Sequence, residues 1–134
     1  MVLDGGTDAP IDLADALTRF DELWSPRIVT RVNDYDVRIA KVAGEHVWHV
    51  HEDTDEFFLV LDGELTIALR GRDAVTLPRG AVYVVPRGVE HKPSSPSGAS
   101  ILMVEPTGTL TTGNRSEDVP AGVDSTTGHP LPPG

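Results

Sequence analysis

An all-β domain, a sandwich or a small barrel led by one short helix, is the fold class this sequence predicts. Two observations carry it. Between residues 27 and 106, apolar residues recur with a period of two in short runs, the pattern of strands with one buried face. Between those runs, turn-forming residues recur at nearly even intervals: Asn33-Asp34, Gly44, Asp53-Thr54-Asp55, Asp62-Gly63, Gly71-Arg72-Asp73, Pro78 to Gly80 and Pro86-Arg87-Gly88. A chain of 134 residues is long enough for one domain with a hydrophobic core.

Residues 1–8 read as a loose lead-in. Leu13, Ala16, Leu17, Phe20 and Leu23 then fall at helical spacing. Asp8 is the expected N-cap, Pro10 stands in the first turn, and Ser25-Pro26 stops the helix. Its apolar stripe predicts packing on the outside of the β-domain. Strand-like runs come next at 28–32, 37–42, 46–51, 56–61, 64–69, 74–77, 82–85, 89–91 and 100–105. Asp62-Gly63 predicts a tight hairpin between two of them. From residue 107 the chain is rich in Gly, Pro, Ser and Thr and nearly free of large apolar residues, which predicts a flexible tail. The expected organisation is an N-terminal extension with the helix over 1–26, a barrel over 27–106 and the tail over 107–134.

Composition narrows the partners. The formal charge is −10, from 21 acidic and 11 basic residues, which argues against nucleic acid and anionic membranes. There is no cysteine, so disulfides and thiolate metal sites are excluded. No apolar run reaches membrane-spanning length. The first ten residues lack the basic-then-apolar order of a secretory signal, so a cytoplasmic location is expected.

Chemistry concentrates in a few residues. His49-Val50-His51 is followed five positions on by Glu56, and His91 lies in a later strand-like run. Alternation places His49 and His51 on one face with Val47, and His46, Trp48 and Val50 on the other. An antiparallel neighbour can bring Glu56 to the pair, and His91 joins them only if the sheet curls. Three imidazoles and a carboxylate suit one divalent ion, zinc, iron, nickel or manganese. Asp53 and Asp55 read as turn residues, and His129 has no assigned role. His46 is an alternative ligand that faces away by parity. Val47, Phe58, Val60, Ile67, Ile101 and Met103 are the expected inward apolar set. Such a lumen favours a small organic acid, ketone or aromatic over a phosphorylated sugar. The cations nearest by position, Lys41 and Arg87, read as surface residues. Tyr83 is either a pocket donor or a core filler, and Trp48 belongs to the core or a subunit interface.

These residues resemble the two motifs of the cupin superfamily. The first motif is Gly44, His49-Val50-His51, Glu56 and Gly63; the second is Gly80, Pro86-Arg87-Gly88 and His91. Two departures are visible: four residues rather than five separate Gly44 from His49, and Ser95 replaces the usual asparagine. The resemblance spans roughly residues 35–105. Over 48–65 it is most similar to small single-domain bacterial cupins labelled mannose-6-phosphate-isomerase-like. It implies a double-stranded β-helix, or jelly roll, with a metal near one mouth held by His49, His51, Glu56 and His91. It also implies a homodimer, but no single reaction.

With four protein ligands, an octahedral ion keeps two positions open for a small molecule. Glu56 can stay bound or act as a general base. The expected function is a metal-dependent enzyme acting on a small organic molecule, of oxygenase, isomerase or lyase type. The alternative is a metal-containing binding or sensing module without turnover, and a structural or storage role is the third reading. No substrate-binding residue is identified at this level.

Overall fold

The computed structural model describes residues 9–115 and 123–134. The expected cap Asp8 and the lead-in over 1–8 lie outside the described residues, as do residues 116–122 of the tail. One short helix, α1 (Leu13–Leu17), precedes nine strands: β1 (Arg27–Val32), β2 (Tyr35–Glu45), β3 (His49–Val50), β4 (Glu56–Leu69), β5 (Val75–Pro78), β6 (Val82–Val85), β7 (His91–Pro106), β8 (Asn114–Arg115) and β9 (His129–Pro130). None of the described helices is long and apolar enough to cross a membrane.

The helix is shorter than its apolar spacing predicts. Asp12, not Asp8, caps it, its carboxylate accepting from the amides of Ala14 at 2.9 Å and Asp15 at 3.3 Å. At the other end the Thr18 hydroxyl donates to the Asp15 carbonyl at 2.6 Å, a back-bond that competes with further helix. Ala16 and Phe20 pack with Val29 and Ile39 in a cluster that Leu17, Leu61, Leu102 and Leu131 border. The helical segment therefore covers the outer face of β1 and β2, as its stripe predicts.

The expected hairpin at Asp62-Gly63 does not form. β4 runs unbroken through those residues and pairs antiparallel with β7, from Phe57↔Val104 to Leu69↔His91, with register shifts between Val60 and Asp62 and between Gly63 and Thr66. Likewise the expected strand at 100–105 is the end of a single long strand, β7, that begins at His91; Val89 and Glu90 precede it. Asp-Gly is a turn signal because Gly accepts positive φ, and a bulge uses the same property. Gly63 has φ +81°, and a Cβ there would lie 2.3 Å from the Gly98 carbonyl oxygen. The glycine is thus fixed by close backbone approach, not by chain reversal.

Bent long strands curl the sheet. The first half of β4 pairs with β6 and its second half with β5. β7 is bordered by β2 along most of its length and by β3 at His91. Buried side chains from all of β2, β4, β5, β6 and β7 meet in one cluster that includes Val42, Phe58, Val60, Leu65, Ile67, Leu77, Val85, Ile101 and Met103. This is the interior of the barrel, and it holds the expected inward residues Phe58, Val60, Ile67, Ile101 and Met103; Val47 is fully buried as well.

The described part of the tail lies against this framework. β9 pairs parallel with β1, and β8 pairs with β3. The Thr111 amide donates to the Thr126 carbonyl at 2.7 Å, and the Thr111 hydroxyl donates to the Asp124 carbonyl at 2.9 Å. Asp124 in turn accepts from the Ser25 hydroxyl at 3.0 Å and meets His129 Nε2 at 2.6 Å. Small polar residues hold this segment in place, where a count of apolar surface alone predicts a loose chain.

Candidate metal centre

Strand geometry alone separates the four candidate residues, and the curl reunites them. His91 opens β7 opposite Leu69 at the far end of β4, while Glu56 opens β4 beside the end of β7 that holds Val104. Along the flat ribbon these positions stand far apart. The bulges near Gly63 bend the ribbon back on itself, and His91 Nε2 comes 3.2 Å from Glu56 Oε1. β3 lies beside the start of β7, with His49 directly opposite His91 and ring centroids 4.3 Å apart. His51 follows β3 and places Nε2 3.4 Å from the same Glu56 oxygen.

All four side chains are buried, and one ligand atom from each lies within 4.8 Å of every other. Two rings are already oriented. His49 Nδ1 meets the Val47 carbonyl at 2.8 Å and His91 Nδ1 the Val89 carbonyl at 3.0 Å. A carbonyl only accepts, so each Nδ1 carries the proton and each Nε2 is left as a lone-pair donor aimed inward. His51 Nε2 is buried and has no hydrogen-bond partner among the described residues. Neighbouring ligands on one ion at about 2.1 Å stand about 3.0 Å apart, close to the 3.2 and 3.4 Å separations around Glu56. The residues present therefore fit a divalent ion, held by a donor set of three nitrogens and one oxygen.

The electrostatics match a ligand set. Burial pushes the His49 imidazolium down to about 3, so that ring stays neutral and able to ligate at any ordinary pH. Burial works the same way on His51, but the Glu56 carboxylate outweighs it and raises His51 above its usual value. Burial alone would raise Glu56; the His51 and His91 imidazoles beside it instead hold it well below the carboxylate range. Glu56 is thus a carboxylate, the form a metal needs.

The centre opens onto a narrow cavity of about 30 Å³ in the barrel interior, lined in part by Trp24, Val42, Phe58, Ile101 and Met103. His46 lines it too, which corrects the expectation from parity. Residues 46–48 are not in a strand, so alternation does not carry through them, and the buried His46 ring lies 4.9 Å from His49 and 5.1 Å from Trp24. Trp48 is half-buried under the Arg70 guanidinium, 4.0 Å from its ring centre. Lys41 Nζ donates to the Phe20 carbonyl at 2.7 Å, and Arg87 is exposed beside Asp55. Neither cation lines the cavity. Tyr83 packs at the edge of the core cluster. Asp55 accepts from the Arg87 amide at 2.9 Å, which ties its loop to the one before His91.

One group of residues escaped the sequence reading. Asp36, Arg38 and Glu105 are almost wholly buried. Arg38 gives both Nε and Nη2 to Asp36 Oδ2, at 3.1 and 2.9 Å, and Nη1 to the Thr109 carbonyl at 3.0 Å; Glu105 Oε2 stands 3.6 Å from Nη1. The signal was present in parity. Asp36 and Arg38 share a face of β2 with Ala40 and Val42, and Asp36 stands opposite Glu105 on β7. Period-two reading assigns charged residues to the solvent side, and here both faces of β2 are covered.

Burial, with the nearby Glu56 charge, raises Glu105 to about 8, against the pull of Arg38. The folded protein then holds a proton there that the unfolded chain releases near its ordinary carboxylate value. The native state binds more protons between roughly pH 4.5 and 8, so stability falls as pH rises through that window, by up to about 1.4 kcal/mol per pH unit. In the chelator-treated protein, Glu105→Gln should remove this part of the decline. Thermal melts at pH 5 and pH 8 check it: the variant should gain on the parent only at the higher pH.

Three comparisons bear on this geometry. The cupin domain family matches residues 35–105. A curated relative, the uncharacterised protein YdbB of Bacillus subtilis, is 39% identical over 67 residues; the match covers 50% of this chain and 59% of that protein. The chain thus spans about three fifths of the length of that curated relative. Among solved structures, a cupin-2 domain containing protein from Shewanella frigidimarina is 46% identical with a TM-score of 0.70, covering 72% of this chain and 93% of that one. Protein NMB1881 from Neisseria meningitidis is 28% identical with a TM-score of 0.68, covering 73% and 99%.

Proposed function

Because this chain belongs to the cupin family, whose fold hosts many chemistries, we propose its function from the site itself: a divalent-metal enzyme acting on a small, unphosphorylated organic molecule. The observation that carries this reading is the buried set of His49, His51, Glu56 and His91, with two imidazoles pinned through Nδ1, opening onto an apolar cavity. A divalent ion there would polarise an oxygen of a bound molecule or lower the pKa of water. The chain's own residues do the rest. The three imidazoles orient the site, Phe58, Ile101 and Met103 exclude bulk water, and Glu56 can take up a proton when it is not serving as a ligand. With neither Lys41 nor Arg87 at the cavity, a sugar phosphate lacks the cation it would need.

Elemental analysis of protein purified without chelator should find about one zinc, iron, nickel or manganese per chain; metal-free protein that also refuses added metal would end this reading. Incubating the loaded protein with unphosphorylated ketones, hydroxy acids and phenols then separates enzyme from sensor. Consumption that chelator stops supports catalysis, and binding without consumption supports a sensing module.

The same reading includes a homodimer joined away from the metal mouth. Val82 and Val84 on β6 are 58% and 45% exposed, and β6 pairs with β4 alone, so an apolar strand edge is left to cover. Light scattering should give about twice the 14.4 kDa chain mass; a monomer at micromolar concentration would count against it.

A further inference from the structure

Among the described residues, four buried side-chain atoms have no hydrogen-bond partner: Arg19 Nε, His46 Nδ1, His51 Nε2 and Glu105 Oε1. His51 Nε2 is explained by the metal set. His46 and Glu105 belong to different strands and loops, yet both line the cavity onto which that set opens. Native proteins rarely leave such atoms alone, because each costs the desolvation of a polar group. Two in one small cavity call for a common partner.

We propose that His46 and Glu105 form a second polar pole of the cavity, a binding subsite that holds the hydroxyl or carbonyl group of an uncharged small molecule whose other oxygen faces the metal set. The proposal rests on the metal reading above and specifies what that site takes. Glu105 is the more distant partner of Arg38, whose guanidinium gives two bonds to Asp36. Its Oε2 faces Arg38 at 3.6 Å, which leaves Oε1 for the cavity. Both unpartnered atoms are buried in the lining of one cavity, where no Lys or Arg reaches them. A carboxyl group accepts from a hydroxyl, or donates to a carbonyl when it is protonated, and an imidazole nitrogen donates or accepts according to its tautomer. A hydroxyl or carbonyl suits such a pair. A carboxylate or phosphate at this end does not, because the lining brings two acidic side chains, Glu56 and Glu105, and no Lys or Arg. About 30 Å³ is on the scale of one or two waters, so the preferred ligands have few atoms.

The test uses cobalt(II)-loaded full-length protein and hydroxyacetone as the probe, with binding read from the cobalt visible spectrum. The parent should respond to hydroxyacetone and bind dihydroxyacetone phosphate more weakly. Glu105→Leu and His46→Phe should each weaken hydroxyacetone binding about tenfold, the worth of one hydrogen bond. Glu105→Gln, which keeps a polar group of the same shape, should stay within about threefold. Cobalt affinity, measured separately, should be unchanged in all three. Normal cobalt uptake with hydroxyacetone binding that ignores these substitutions, or that is absent in the parent, overturns the subsite while leaving the metal centre standing. Tighter binding of the phosphate overturns the preference for an uncharged ligand. Failure of the parent to take up cobalt overturns the metal centre, and the subsite with it.

Discussion

Replacing His91 with alanine should abolish stoichiometric metal binding while the barrel stays folded. His91 is the residue on which the convergence depends: its Nε2 lies 3.2 Å from Glu56 Oε1, its ring 4.3 Å from His49, and its Nδ1 is held by the Val89 carbonyl. Losing an outer hydrogen bond to a ligand costs about 10- to 100-fold in metal affinity, so losing a ligand should cost more than about 100-fold. The fold should survive because His91 stands at the start of β7, whose pairing with β4 and β2 is made by backbone groups. His49→Ala should behave alike. After dialysis against a weak chelator, elemental analysis should find metal in the parent and almost none in either variant, with unchanged circular dichroism. Full occupancy in both variants would remove these histidines from the site.

Much of this centre was legible in the sequence because its information is local. His49 and His51 share a face through alternation, and the distances from His49 through Glu56 to Gly63 and from Gly80 to His91 match motifs whose family spans residues 35–105. What was not legible depends on contacts between distant parts of the chain. Asp62-Gly63 has the composition of a hairpin turn, and only the passage of β7 beside it shows that the positive φ serves a bulge. His46 was misplaced because parity was carried across three residues that are not in a strand. Asp36, Arg38 and Glu105 were missed because their burial needs cover from Thr109 and the segment beyond it, whose threonines look like loop composition until their hydroxyls are seen to bond backbone groups. Charge on a strand reads as surface unless something covers the strand.

Gly63→Ala should be the most damaging single methyl group in the barrel. The added Cβ would lie 2.3 Å from the Gly98 carbonyl oxygen and 2.8 Å from Ala99 Cα, both backbone atoms of β7 that cannot rotate away. It would also sit on a residue with φ +81°, a conformation that costs an L side chain about 1–2 kcal/mol. Relief requires parting β4 from β7 at their bend, so a total of at least about 4 kcal/mol is expected, a large share of a small domain's stability. Gly71→Ala separates the two costs. Gly71 has φ +75° but nothing within 4 Å of its would-be Cβ, so it should lose only the backbone part, about 1–2 kcal/mol. Thermal melts should therefore show Gly71→Ala lower by several degrees and Gly63→Ala lower by more than about 10 °C, or unfolded. The same bend brings Glu56 to His91, so any Gly63→Ala protein that folds should also bind metal more weakly than Gly71→Ala. Equal melting temperatures for the two variants would mean that β7 does not crowd Gly63, and the bend could then not be what assembles the site.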